Sequence, residues 1–263
     1  MEFDQITERG KKEREQYNEG LERSGYDDFF GHCRYFYIQR RTEKVKEEME
    51  YAHGKKVLEI GSSAWRGWLE YNSILPSSLT CINISEAELQ VGIDSARDCK
   101  IVPDFKLMDA HHLQFEDDSF DFIFGAAILH HLDLVSALDE IRRVLKPDGR
   151  ILFVEPMGVN PFGKLVRFLT PKARTVDEQP FRFQEFEELN RRFEVQAYYE
   201  ELLSVPLGVL SRLLYKDPSN SLMRFAFRAD LFLDKNFDWM RNWFRHALIV
   251  GKAKQDSSLN KVK

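Results

Sequence analysis

The chain predicts an α/β fold built on a mostly parallel sheet, and three observations carry that expectation. Five short apolar runs between residues 56 and 154 alternate with segments of helical periodicity. The first run, Val57-Leu58-Glu59-Ile60, ends at Gly61 and small residues, as a buried strand does where it opens into a tight turn. Helix-start signals (Ser85 with Glu88, and Asp133) fall between runs, where crossovers joining parallel neighbours have to begin. Strands separated by helices in this rhythm imply right-handed βαβ units with helices on both faces.

Residues 1 to 20 are charge-dense, with Glu8-Arg9-Gly10-Lys11-Lys12-Glu13-Arg14-Glu15, and read as a frayed, solvated helix. From Tyr26 to Tyr51 the aromatics Phe29, Phe30, Tyr35, Phe36 and Tyr37 and the apolar Ile38 interleave with His32, Arg34, Arg40 and Arg41. Either amphipathic helices pack here on the main domain, or a cap turns Tyr and Arg inward over a ligand. Plain packing is the commoner outcome for such stripes. Residues 56–60 then read as a strand, 64–72 as a helix and 79–84 as a second strand. Ser85 and Glu88 form a capping box for a helix whose apolar face carries Leu89, Ile93 and Ala96. Strands follow at 105–108 and 120–124. Leu134, Leu138, Ile141 and Leu145 lie at helical spacing over 134–146, capped by Asp133. Pro147-Asp148-Gly149 is a turn before a strand at 150–154.

Beyond Pro156 the pattern loosens into a short helix at 160–170, a polar loop at 171–180, a helix at 183–192 and an alternating strand at 193–199. Apolar helices at 202–215 and 222–233 precede a last strand at 247–250, which suggests an antiparallel edge and a helical lid. The domain reading is an N-terminal helical cap over 1–53 and a main domain over 54–254 with a lid insertion at about 201–238. Residues 255–263 read as a disordered tail.

A chain of 263 residues can be served by one hydrophobic core. With 43% hydrophobic and 31% charged residues, it is expected to fold rather than remain disordered. A net charge of -5 argues against general nucleic-acid binding. Cys33, Cys81 and Cys99 contain no C-x-x-C, so neither a disulfide framework nor a metal site is expected. The start Met-Glu-Phe-Asp is no signal peptide, and no run approaches the roughly 18 apolar residues of a spanning helix. A soluble cytoplasmic protein is the expectation, with monomer and homodimer both open.

A dinucleotide site needs G-x-G-x-x-G after the first strand and an acid closing the second. Here the turn reads Gly61-Ser62-Ser63-Ala64-Trp65-Arg66-Gly67, lacks the second and third glycines, and disfavours a nicotinamide or flavin. Other blocks fall in a telling order. They are Val57-Leu58-Glu59-Ile60-Gly61, Ile82-Asn83-Ile84-Ser85, Met108-Asp109-Ala110 and Leu113-Gln114-Phe115-Glu116-Asp117-Asp118-Ser119-Phe120-Asp121. Ile128-Leu129-His130-His131-Leu132 and Glu140-Ile141-Arg142-Arg143-Val144-Leu145-Lys146-Pro147-Asp148-Gly149 complete them. Together, over about residues 55–156, they resemble the class I S-adenosylmethionine-dependent methyltransferases, in the branch of ubiquinone/menaquinone-type and other small-molecule enzymes.

The resemblance implies a Rossmann-like seven-stranded sheet and S-adenosyl-L-methionine as cofactor. Gly61, Ser62 and Ser63 would turn bare backbone toward its methionine end. Glu59 would accept from the amino end, or orient the loop. Asn83 stands where the family usually has an acid on the ribose, and offers an amide instead. Ile84 would pack on the adenine face, Asp109 would accept from the adenine amine, and the Ala110 N–H would donate to a ring nitrogen. Gly125 and Ala126 are small enough for close approach. Methyl transfer from a sulfonium needs mainly positioning, plus a base where the acceptor carries a proton. His130, beside His131, is the favoured base or acceptor-orienting group; the alternative is that one or both cap the next helix and bond to backbone. Glu155 is a second candidate, with a structural role as the alternative.

A small organic acceptor would lie between the sheet edge, the 26–37 stretch and the apolar late helices, which include Leu202, Leu203, Leu207, Leu210, Phe225 and Phe232. Lys164, Arg167, Lys172 and Arg174 could meet an anionic acceptor or form a solvated face. The leading expectation is methyl transfer to O, N or C of a small molecule. A non-catalytic binding protein on the same fold is the alternative.

Overall fold

A computed structural model describes residues 6–19, 26–61, 74–98, 100–158 and 181–254. Within them seven strands form one sheet: β1 (Lys56–Ile60), β2 (Ser78–Asn83), β3 (Asp104–Leu107), β4 (Phe120–Ala126), β5 (Leu145–Pro156), β6 (Phe193–Glu200) and β7 (His246–Ala253). Their order is β3-β2-β1-β4-β5-β7-β6. The first five pair in parallel, and β7 runs antiparallel between β5 and β6. The helices are α1 (Glu8–Glu19), α2 (Tyr26–Met49), α3 (Glu86–Ser95), α4 (Leu134–Val144), α5 (Phe183–Arg192), α6 (Ser204–Leu214) and α7 (Ser221–Asn236).

Continuous apolar runs serve the central strands because both sheet faces are covered. Leu58, Ile123, Ile151, Phe153 and Ile249 point to the layer holding Leu138 and Ile141 of α4 and Phe186 and Leu189 of α5. Their neighbours Val57, Phe122, Phe124, Leu152 and Leu248 point to the other, with Val45 and Met49 of α2. Alternate residues face opposite sides of a sheet, so each run feeds two cores.

Several boundaries fall where the residues placed them, and some details differ. Ser85 caps α3 by accepting from the Glu88 N–H, but its own N–H donates to Asn83 Oδ1 at 2.8 Å. The capping box therefore forms in one half only, because a side-chain oxygen two residues back reaches that N–H first. The expected apolar face of α3 is rotated. Gly92 is the buried position and allows contact with Phe105, while Ile93 is exposed. Pro147-Asp148-Gly149 turns inside β5: Phe120 pairs with Leu145 but Phe122 with Arg150, so the intervening residues are looped out. The helix at 64–72, the helix and loop at 160–180 with their basic run, Cys99 and the tail lie outside the described residues.

Among the described residues of α2, Cys33, Phe36 and Tyr37 form a packing surface. Cys33 lies against Gly208 of α6, and Tyr37 donates to Asp230 of α7 at 2.8 Å. Phe36 and Tyr37 meet Phe227 at ring separations of 5.7 and 4.9 Å. Helices α2, α6 and α7 therefore hold one another beside the β6 edge of the sheet.

A buried ion cluster fastens this layer. Arg41 Nε donates to Glu200 at 2.8 Å, and Arg245 pairs with Glu201 beside His246. Burial pushes the His246 imidazolium down to about 3, helped by the Arg245 guanidinium and opposed by Glu201. Unfolded histidine takes up a proton below about 6.5, and folded His246 does not. Stability is thus full above that value and is lost as pH falls through the window below it. Glu200, raised by burial, acts with opposite sign, so comparison with a His246 variant is what isolates the histidine. Lowering pH from 7 to 5.5 should cost about 1 kcal/mol through His246. Urea unfolding of the parent and of His246→Gln checks this: parallel pH profiles would reject the assignment.

Candidate active site

The strand order reverses beside β1, where an open α/β sheet forms a crevice at its carboxyl edge. Gly61 ends β1 there at φ +75°, and a Cβ on it would lie 2.8 Å from Ile128. Only a bare backbone fits both the left-handed conformation and the space. Across the crevice Ala127 takes φ +53° and donates to the Val154 carbonyl at 2.7 Å. A cleft of about 880 Å³, counting its open mouth, extends from Gly61 past Asn83 and Ile84 to Met108, Asp109 and Ala110. Ala126, Ile128, His131 and Leu132 wall the other side.

Asp109 is buried where β3 has just ended. Its Oδ1 accepts from the His111 N–H at 3.0 Å and from His111 Nδ1 at 2.6 Å; its Oδ2 accepts from the Thr7 N–H at 3.2 Å. Burial would raise this carboxyl, but the donors from His111 and Thr7 outweigh it and hold it below the ordinary carboxylate value. His111 Nε2 accepts from the Asp133 N–H at 2.8 Å, so its proton sits on Nδ1. One imidazole thus ties the β3 end to the start of α4. His111 also lines the cleft, and the sequence reading missed it; its place two residues after Asp109 was the available signal.

Helix α1 forms the roof. Gly10, Glu13 and Tyr17 line the cleft, and a Cβ on Gly10 would stand 2.9 Å from Asp109 Oδ2 and 2.8 Å from Ile84. Arg14 pairs with Glu86 at 2.8 Å, and Ser85 donates to Asn18 at 2.6 Å. The reading of this segment as a solvated helix holds for one face, where Glu8, Lys11, Lys12 and Glu15 are exposed, and is corrected for the other, whose Glu13, Arg14, Tyr17 and Asn18 meet residues distant in sequence. The acceptor space expected under α2 and the late helices is not part of this cleft: among the described residues α1 lines it, and α2, α6 and α7 contribute none.

The two histidines separate. His130 donates from Nδ1 to Glu155 Oε2 at 2.8 Å, and Glu155 also accepts from the N–H groups of Ile128, Leu129 and His130 at 3.1, 2.9 and 3.4 Å. His131 faces the cleft instead. Its Nε2 lies 3.0 Å from the Tyr17 hydroxyl, and its Nδ1 lies 3.2 Å from Glu13 Oε2. Glu59 is buried and accepts from the Cys81 thiol at 3.6 Å. Gly125 stands behind the wall, where Phe153 and Ile128 leave no room for a Cβ. Ser62 and Ser63 lie outside the described residues. Among those described, no group of three or more His, Cys, Asp or Glu could hold a metal ion. No described helix is long and apolar enough to cross a membrane.

Comparison with known proteins gives the family and the fold. Residues 58–153 match a family described as a methyltransferase domain. A demethylmenaquinone methyltransferase of Staphylococcus aureus is 30% identical over 203 residues, covering 68% of this chain and 83% of that protein. Methyltransferase GfsG of Streptomyces halstedii is 31% identical over 122 residues, 44% of this chain, which spans only 43% of that relative. The fold is also that of geranyl diphosphate C-methyltransferase from Streptomyces coelicolor A3(2), solved with Mg2+, geranyl diphosphate and S-adenosyl-L-homocysteine. That match has a TM-score of 0.57 and 12% identity, over 82% of this chain and 79% of that one.

Proposed function

For a chain that belongs to the class I S-adenosylmethionine-dependent methyltransferases, we propose that the switch-point cleft holds S-adenosyl-L-methionine and directs a methyl group to a small organic acceptor. One observation carries the reading: Gly61, Asn83 and Asp109, from three consecutive strand ends, converge on one cleft. The donor set suits the cofactor. Gly61 would leave backbone open to its methionine end, and Glu59 would steady that turn. Asn83 turns its carboxamide oxygen to Ser85, so it would meet the ribose oxygens as a donor. Ile84 would cover the adenine face, with Asp109 and the Ala110 N–H on its polar edge. Bound there, the cofactor supplies a methyl group already activated as a sulfonium.

The chain's own part is to place the acceptor, exclude water and take up its proton. His131 is the group that faces the space, so we assign it the proton. Glu13 would hold its Nδ1, and the Tyr17 hydroxyl marks where an acceptor hydroxyl or amine would meet Nε2. Glu155 and His130 would shape the turn beneath and act by positioning. The apolar wall of Ile60, Ile82, Ile84, Met108, Ile128 and Leu132 favours an apolar or amphipathic acceptor.

A non-catalytic binding role on the same fold is the second reading, favoured by Thr7 lying on Asp109 where the adenine amine would bond. Calorimetric titration with S-adenosyl-L-methionine and S-adenosyl-L-homocysteine separates these readings: no heat with either rejects the first and favours the second. Release of S-adenosyl-L-homocysteine with a panel of quinols, phenols and amines then distinguishes enzyme from binder. His131→Gln should lower turnover by about 100-fold or more, within the usual range for a proton-transfer group, with cofactor affinity little changed. Retained turnover would reject its role.

A further inference from the structure

Helix α7 presents two unlike faces. Met223, Ala226 and Asp230 turn inward and are buried. On the opposite arc lie Arg224, Phe225, Arg228, Phe232 and Lys235, all exposed, with two neutral polar residues at the margins and no carboxylate. Phe225 and Phe232 are 62% and 60% exposed. Rings set among cations in water are not what a merely solvated face carries, which mixes both signs of charge and spares its aromatics.

The aromatic line continues past the helix. Phe232 meets Phe237 at 6.1 Å, Phe237 meets Trp239 at 6.5 Å, and Trp239, itself 65% exposed, meets Trp243 at 5.4 Å. At the other end, Asn220 bonds Ser211 at 2.7 Å and brings up the end of α6, where Leu213 and Leu214 are exposed between Arg212 and Lys216. The acids at the margins are occupied: Asp238 pairs with Arg241 at 2.9 Å, and Asp217 accepts from the Ser219 N–H at 2.8 Å.

We propose that this face docks on the surface of an anionic lipid bilayer. The chain as a whole carries -5 and would be repelled, so the docking surface has to be one where cations prevail, as they do on this arc. Phenylalanine and tryptophan seat at interfacial depth while arginine and lysine stems reach lipid phosphates beside them. A second copy is a poor occupant. A two-fold contact sets the same patch against itself, and this arc would bring arginines together with no carboxylate to meet them. The cleft draws no residue from α6 or α7, so the proposal stands apart from the methyl-transfer reading.

Co-sedimentation of the full chain with phosphatidylglycerol/phosphatidylcholine vesicles, against phosphatidylcholine alone, tests it. Binding should be roughly tenfold or more stronger to the anionic vesicles and should weaken with salt. The triple variant Phe225→Ser/Phe232→Ser/Trp239→Ser and the double variant Arg224→Glu/Arg228→Glu should each lose it. The charge-reversal variant should keep the parent unfolding temperature, because its side chains stand in water, and the aromatic variant should lose only the little that its ring contacts with Phe237 and Trp243 supply. Absence of parent binding, or equal binding by the variants, overturns the proposal. So does a marked fall in their unfolding temperature, which would mean that the chain itself covers the face. Parent self-association that the aromatic variant abolishes would assign the face to a second copy and overturn it too.

Discussion

Gly61→Val is expected to abolish S-adenosyl-L-methionine binding while leaving a folded protein. The residue sits at φ +75°, which a β-branched side chain enters only at a cost of order 2 kcal/mol. Its Cβ would also land 2.8 Å from two carbons of Ile128. Ile128 has little freedom to retreat, because its own N–H is held by Glu155 at 3.1 Å. The backbone at the crevice must therefore shift, and the surface meant for the methionine end shifts with it. Affinity should fall at least about 100-fold, equivalent to roughly 2.7 kcal/mol. Gly61→Ala, which meets the same conformation with less bulk, should lose about tenfold. Calorimetry read beside far-ultraviolet circular dichroism decides the matter: a folded valine variant that binds normally would refute the cradle.

Asp230→Ala should produce the largest loss of stability. Asp230 is fully buried on α7 and receives five donors. They are the N–H groups of Leu202, Leu203 and Ser204 at 3.0, 2.6 and 3.1 Å, the Ser204 hydroxyl at 2.6 Å and the Tyr37 hydroxyl at 2.8 Å. Helix α6 has no cap of its own, since its N-cap is Leu203, and this distant carboxylate does that work. Alanine would strand those donors in the interior, where each uncompensated group costs about 1–3 kcal/mol before relaxation. A net loss of about 4 kcal/mol or more is expected, or about 10 °C in unfolding temperature for a chain of this size. Tyr37→Phe removes one donor and should cost about 1 kcal/mol. Thermal and urea denaturation measure both, and an alanine variant within 1 kcal/mol of the parent would refute the account. Cofactor binding should survive at temperatures where the variant is folded, because the cleft takes nothing from these helices.

The legible parts of this protein were those in which a few adjacent residues determine their own structure. Lys56–Ile60 and Phe183–Arg192 begin and end where apolar period and flanking residues put them. Ser85 and Asp133 cap the helices they precede. Gly61, Asn83, Ile84, Asp109 and Ala110, the positions proposed for the cofactor, do meet on one cleft, because parallel strands bring their carboxyl ends to the same edge.

What stayed hidden was decided between elements far apart in the chain. Nothing in Glu8–Glu19 marks it as a roof, since its partners Ser85, Glu86 and His131, and Asp109 bonded by Thr7 just before it, follow three different strands. His130 and His131 are chemically alike and adjacent in sequence. Only the buried Glu155 on β5, holding His130, leaves His131 to face the cleft. The sequence by itself determined the strands, the starts of the helices after Ser85 and Asp133 and the carboxyl edge where the cleft opens, because periodicity and turn chemistry act over a few residues. The tertiary structure alone decided which helix covers the cleft, which histidine faces it and which apolar helices stay in water. Those outcomes rest on burial and on hydrogen bonds between residues up to about a hundred positions apart, which no local pattern encodes.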